Sequence, residues 1–258
     1  MKVSIISYAF SRMMQQGRVD IFGYLETAKY RFGLTGADIW NGMLTSLEPD
    51  YLAKVKDALC ERELALANLA CDRCHVWEDD ADLRAKLNEN AWAHIAAGEA
   101  LGAKTIRIDA GGARQDMAWT DEQFDYIVKM FKQYAQRAFD NGYKIGPENH
   151  WGPEDVPENL VKLCQAVDSP AFGVLLHLER WRGEQAAQGD EMCAPWVMHA
   201  HVTPRTSEAD TPAKMALLRD AGFCGYYSAE LVSDSYAELG MQIARIKSVL
   251  DRWRIEGK

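Results

Sequence analysis

The sequence predicts a single-domain (β/α)8 TIM barrel of the α/β class spanning residues 1–258. Three observations carry this. Short β-rich apolar runs alternate with longer amphipathic stretches to the end of the chain. Eight such units can be placed, each about thirty residues long, which suits a closed parallel barrel. The first apolar run continues into Tyr8-Ala9-Phe10-Ser11-Arg12, without the glycine-rich phosphate loop expected of an open doubly wound sheet.

The elements follow in order. The first strand is expected at Val3–Ser7, with a helix at Asp20–Tyr30. The second strand is Ala37–Trp40, followed by a helix at Pro49–Arg62, and the third is Leu64–Ala70 with a long helix at Asp80–Leu101. Lys104–Asp109 and Tyr143–Glu148 read as strands four and five, each followed by a helix, Asp121–Asp140 and Val156–Val167. Strand six is Ala171–His177, trailed by a weak helical stretch near Gly183–Gln188. Strands seven and eight are Val197–Val202 and Gly225–Glu230, with helices at Pro212–Ala221 and Tyr236–Trp253. Punctuation agrees: Thr120 followed by Gln123 is a capping-box pattern, and Gly102, Gly142 and Gly222 stand where helices should stop.

Hydrophobic residues make up 48% and charged residues 26%, an ordinary globular balance. The net charge of −9 repels phosphate backbones, so no nucleic-acid partner is expected. No apolar run is long enough to span a bilayer, and no membrane partner is expected. The opening MKVSIISYAF lacks a cleavage site and reads as a buried strand. Six cysteines without a secretory segment point to reduced thiols in a cytoplasm. Barrel faces often pair, so a homo-oligomer is expected.

Side chains at the strand C-termini of such a barrel converge on one mouth. Strand five ends in Glu148-Asn149-His150, strand six in His177, strand seven in His199-Ala200-His201 and strand eight in Ser228-Ala229-Glu230. Glu148, His177, His201 and Glu230 are separated by 29, 24 and 29 residues, about one β/α unit per step. Two imidazoles and two carboxylates at matching heights form a ligand set for one divalent ion, Mn2+ first, with Zn2+, Co2+ or Mg2+ as alternatives. His199 shares a face with His201 but lies deeper, and is expected to be a hydrogen-bonded support rather than a ligand. Arg107 and Asp109 share a face of strand four, placed either to bind substrate hydroxyls or to pair with each other. His75, at the third strand's end, and Trp151, after the fifth, are candidate substrate contacts; Trp181 and Trp196 also flank strand ends. His94 is read as a packed or surface residue within a helix. Cys71-x-x-Cys74-His75 matches the haem-attachment pattern, but no export signal accompanies it. A zinc site would need a second ligand pair and a redox motif a helix start, so the pair is read as reduced thiols.

Over nearly the whole chain, the pattern at Glu148, His177, His201 and Glu230 resembles the xylose isomerase-like barrel superfamily, which includes sugar isomerases, epimerases and endonuclease IV. The telling segments are Gly146-Pro147-Glu148-Asn149-His150-Trp151-Gly152, His199-Ala200-His201 and Ser228-Ala229-Glu230. The resemblance implies a metal held by those four residues and a small carbohydrate substrate. It implies proton abstraction beside a carbonyl, with Glu148 and Glu230 exchanging protons across the substrate. His150 is a further acid or base, and Arg180 and Arg205 are candidate anion contacts. The sequence departs from the family pattern at two places. His177 and Arg180 stand where many members have Asp-x-x-His, and Thr203-Pro204 replaces a Lys-Asp pair. These departures keep a β-eliminating lyase on 3-keto sugars or glycosides open beside isomerisation. An endonuclease IV-like phosphodiesterase is disfavoured by the acidic charge, and a non-catalytic sugar-binding barrel would bind without turnover.

Overall fold

The computed structural model describes residues 2–257. Eight strands, β1 (Lys2–Ile5), β2 (Gly36–Trp40), β3 (Ala65–Cys71), β4 (Thr105–Ile108), β5 (Lys144–Gly146), β6 (Val174–His177), β7 (Val197–Val202) and β8 (Tyr226–Ala229), form the wall. They pair in parallel in the orders β1-β8-β7-β6 and β2-β3-β4-β5. Bridges at Ile6–Asp38, Ile145–Phe172 and Glu148–Leu175 join the two halves at both seams. The outer layer is α1 (Ser11–Gln15), α2 (Ile21–Glu26), α3 (Pro49–Glu61), α4 (Ala81–Leu101), α5 (Asp121–Asn141), α6 (Pro157–Val167), α7 (Gly189–Cys193), α8 (Thr211–Asp220) and α9 (Tyr236–Glu256). Among the described residues, no helix is long and apolar enough to cross a membrane.

Local chemistry explains most boundaries. Thr120 Oγ1 accepts the Gln123 amide at 3.3 Å while Gln123 Oε1 accepts the Thr120 amide at 2.8 Å, closing the capping box of α5. Gly142 ends that helix in the left-handed region at φ 76°. β5 stops short of the expected Glu148 because Pro147 has no amide hydrogen to continue the ladder. Within β5, a Cβ on Gly146 would collide with the Gly173 carbonyl oxygen, so this seam closes only around a residue without a side chain.

Three stretches differ from the sequence expectation. The first strand ends at Ile5 rather than Ser7, and Ser7–Gln15, where the sequence predicts no element beyond Ser7, winds into a 3-10 turn and α1 because Phe10 and Met13, three apart, both bury completely. The helix expected at Asp20–Tyr30 is α2 followed by a π-turn over Thr27–Arg31, with the Phe32 amide donating to the Thr27 carbonyl. Gly183–Gln188 yields only a 3-10 turn at Ala186–Gln188, and the short helix of that unit is α7.

The barrel interior carries a polar layer as well as an apolar one. Asn68 on β3 donates from Nδ2 to Asp38 Oδ1 on β2 at 2.9 Å. Thr105 Oγ1 on β4 lies 2.9 Å from Asn68 Oδ1. Asp38 and Asn68 are wholly buried and Thr105 nearly so. This chain of hydrogen bonds leads across the barrel to the histidines of β7.

Candidate active site and metal centre

The four predicted ligands meet. His177 Nε2 lies 2.5 Å from Glu230 Oε2 and 3.7 Å from Glu148 Oε1. His201 Nδ1 lies 2.8 Å from Glu230 Oε2. Ligand atoms of Glu148, His177 and His201 all fall within 4.8 Å of one another. The elements explain the convergence: Glu148 follows Pro147 at the β5–β6 seam, His177 ends β6, His201 lies one register step before the end of β7, and Glu230 follows β8. Asn149 ties two of these ends together, donating to the His177 and Arg180 carbonyls at 2.8 and 2.9 Å and accepting the His177 amide at 2.7 Å.

The hydrogen-bond pattern tests whether a cation fits. Asp38 Oδ2 lies 2.9 Å from Nε2 of both His199 and His201, so each ring donates there. His201 then presents Nδ1 to the site, buried and 2.8 Å from Glu230 Oε2. A nitrogen lone pair and a carboxylate oxygen 2.8 Å apart repel unless a positive charge stands with them. A proton meets that need: burial works against it, but the charge of Glu230 and the bond to Asp38 raise His201 to about 10. A divalent ion meets it equally, and the oxygen and nitrogen donors suit one. The residues present therefore fit a metal.

Arginines neutralise the rest of the site. Buried Arg107 reaches Glu148 Oε2 at 3.2 Å, Asp109 Oδ2 at 3.1 Å and Asp72 Oδ1 at 2.9 Å. Arg180 Nη1 lies 2.9 Å from His177 Nδ1 and 3.9 Å from Glu148 Oε1. A guanidinium only donates, so Nδ1 accepts and the His177 hydrogen sits on Nε2, toward Glu230. His150 Nδ1 lies 3.0 Å from Asp109 Oδ2; burial opposes its charging, but Glu148 and Asp109 raise its pKa.

A cavity of about 320 Å³, in the range of small-molecule sites, opens over this cluster, lined in part by Tyr8, Trp40, Arg107, His150, Arg180 and Glu230. His75 and Trp151 line a neighbouring cavity instead, stacked edge to face at 5.5 Å. Arg205 is exposed and lies outside both linings. His199 is 1% exposed and supports the site through Asp38. His94 is buried, with its ring against Asn41, Asn90 and Cys74. Trp181 packs on Gly189 and donates to Asp190 at 2.8 Å. Sequence reasoning missed Asp38, Asp72, Tyr8 and Trp40. A charged residue inside the apolar run Ala37–Trp40 was the available signal for Asp38.

The model of one family, described as xylose isomerase-like TIM barrel, matches residues 28–253. The chain belongs to that family. Among solved structures, 3-keto-D-glucoside 4-epimerase from E. coli is similar at 14% identity and a TM-score of 0.76, covering 96% of this chain and 99% of the other. D-psicose 3-epimerase, crystallised in the presence of D-fructose, is 14% identical with a TM-score of 0.73 and 99% coverage of both chains. A xylose isomerase-like TIM barrel protein from Mycobacterium smegmatis, in complex with magnesium, is 13% identical with a TM-score of 0.75, covering 97% of this chain and 95% of that one. No curated protein matches the sequence.

Proposed function

We propose that this protein is a divalent-metal-dependent isomerase or epimerase that moves a proton beside the carbonyl of a sugar or keto-sugar. The observation that carries the reading is the convergence of His201 Nδ1, His177 Nε2 and the Glu148 and Glu230 carboxylates in one cluster, three of whose members line the pocket. Sugar epimerases among the structural relatives support the substrate class, and a magnesium-bound relative supports the ion. The ion, with Mn2+ the first choice, would polarise the substrate carbonyl and stabilise the negative charge left when the neighbouring proton departs.

The chain's own groups divide the remaining work. Glu148 and Glu230 take and return the proton. His150, oriented by Asp109 through Nδ1, keeps Nε2 free of protein partners among the described residues and serves as a second acid or base. Arg107 fixes Glu148 through its Nε contact. As a metal ligand His177 would offer Nε2 and carry its hydrogen on Nδ1, which would leave Arg180, a residue lining the pocket, to donate to a substrate oxygen. Tyr8 and Trp40 offer aromatic faces to the sugar ring.

Elemental analysis and turnover test the reading together. Wild type is expected to carry about one equivalent of divalent metal and Glu148→Gln and His201→Ala to lose most of it; equal metal in all three proteins places the ion elsewhere. Metal-loaded wild type is then offered ketohexoses and 3-keto-glucosides, with products followed by mass spectrometry and NMR. An isomer of unchanged mass is expected. An unsaturated sugar would make the enzyme a lyase, in which the same proton loss expels a β-leaving group. Absence of both products with a bound sugar would make the barrel a binding protein.

A further inference from the structure

The cysteine pair that the sugar chemistry leaves unused has a built environment. Cys71 closes β3 and Cys74 lies in the turn behind it, 1% and 0% exposed. Cys71 donates its S–H to the Leu69 carbonyl oxygen at 3.7 Å, and the left-handed turn at Arg73 (φ 57°) separates it from Cys74 by only two residues. From α4, Asn90 Nδ2 comes within 3.3 Å of Cys74 Sγ and His94 Nδ1 within 3.6 Å. His94 Nδ1 also lies 2.9 Å from the Asn90 carbonyl oxygen, which only accepts, so Nδ1 carries its hydrogen and shares it with the sulfur. The Cys71 thiol and then His94 bring Cys74 down to about 6, whereas burial pushes Cys71 well up. The contacts are asymmetric in the same sense: Asn90 and His94 both donate toward the Cys74 sulfur, whereas Cys71 spends its own hydrogen on the Leu69 carbonyl. Burial pushes up the buried Cys164 and Cys193 as well, and neither gains such donors. The pair is approached from the pocket side: Cys71 lines the cavity it shares with Asp72, Asp109, His150 and Trp151, beside the proposed active site, and Cys74 lies behind it, so peroxide reaches Cys74 past Cys71.

We propose that Cys71 and Cys74 form a peroxide-sensitive dithiol that closes to a disulfide. The Cys74 thiolate attacks one oxygen of hydrogen peroxide; an S–O bond forms, the O–O bond breaks, and hydroxide leaves and is protonated to water. Cys71 sulfur then attacks Cys74 sulfur; the S–S bond forms, the S–O bond breaks, and a second water leaves with the Cys71 proton. Two thiols and one peroxide give one disulfide and two waters, the sulfurs losing the two electrons that the peroxide gains. The bridge spans Asp72, which pairs with Arg107 at 2.9 Å and accepts from Trp40 Nε1 at 2.7 Å, so oxidation bears directly on the pocket wall.

The sequence makes the test clean. Trypsin cuts after Arg62, Arg73 and Arg84, leaving Cys71 and Cys74 on separate peptides, each without another cysteine. The folded protein is treated with hydrogen peroxide, alkylated in denaturant, digested without reductant and analysed by mass spectrometry. Peptides 63–73 and 74–84 are expected as a linked pair two hydrogens lighter than their sum. The pair should form more than about tenfold faster than oxidation of the exposed Cys60 and Cys224, because Asn90 and His94 donate to the Cys74 sulfur and the second thiol stands ready to close the bridge. In Cys71→Ser, dimedone should trap Cys74 as sulfenic acid; in Cys74→Ser, no adduct should form at position 71. The proposal is overturned if both thiols stay alkylatable at doses that oxidise Cys60 or Cys224. It is equally overturned if linkage is no faster than theirs, or if the Cys71→Ser protein yields no adduct at Cys74.

Discussion

Asp38 Oδ2 receives hydrogen bonds from two imidazoles, and its Oδ1 is held by Asn68, so the carboxylate cannot rotate without breaking one of them. Burial alone would raise its pKa, but His199 and His201 outweigh burial and keep it ionised. An anion fixed in this way holds the Nε2 hydrogen of His201 and leaves Nδ1 facing Glu230, to carry a proton in the absence of an ion or to serve as a ligand with one. In Asp38→Asn, an amide turned with its nitrogen to the rings would reverse that arrangement, placing the hydrogen on Nδ1 inside the site. Metal affinity is expected to fall by on the order of 10–100-fold, as for other partners that orient a ligand histidine. Titration calorimetry reads the affinity, and the nitrogen-15 shifts of labelled histidine read the tautomer. Unchanged shifts with unchanged affinity would reduce Asp38 to packing. The four strand-end residues were legible in the sequence because their one-unit spacing is a property of the chain. Asp38 was not, because its partners lie 161 and 163 residues away and only barrel closure brings them together.

At the level of elements, the strands fell where apolar runs predicted them, and the misses came where packing overrode local pattern, as at Phe10 and Met13. Contacts between helices were beyond sequence reasoning altogether. Glu99 on α4 accepts from Arg137 Nε and Nη2 on α5 at 2.8 and 2.7 Å and from the Tyr143 hydroxyl, ahead of β5, at 2.9 Å. The Arg137 hydrogen bonds, against some burial, lower the Glu99 pKa. The pair is partly exposed, so Glu99→Gln is expected to cost only about 1 kcal/mol at neutral pH. The sign of its pH dependence follows from the lowered folded-state pKa. The stabilisation is complete above the unfolded carboxylate value of about 4.3 and is lost as pH falls through the folded value. Urea unfolding of both proteins at pH 7 and pH 3.5 should show the gap narrowing in acid. A gap that stays constant would mean that Glu99 acts through packing and not through its charge.

Across the whole molecule, β/α alternation announced the closed barrel, while the way its charges balance emerged only in three dimensions. Glu148, Glu230, Asp38 and Asp109 crowd one end of a chain that already carries a net charge of −9. Without an ion, that end relies on Arg107, Arg180 and protonated imidazole to offset repulsion. A divalent cation that binds the folded state and not the unfolded chain should therefore stabilise the entire barrel. At a free concentration one hundred times its Kd, the gain is about 2.7 kcal/mol. A domain of this size shifts by roughly 2–4 °C per kcal/mol, so Tm should rise by roughly 5–10 °C with Mn2+ and return with a chelator. Glu148→Gln and His201→Ala should lose most of that rise, because each removes a ligand while leaving the helical shell intact. A rise of equal size in wild type and both variants would assign the stabilising ion to a different set of carboxylates, and the four strand ends would then owe their closeness to arginine and protons alone.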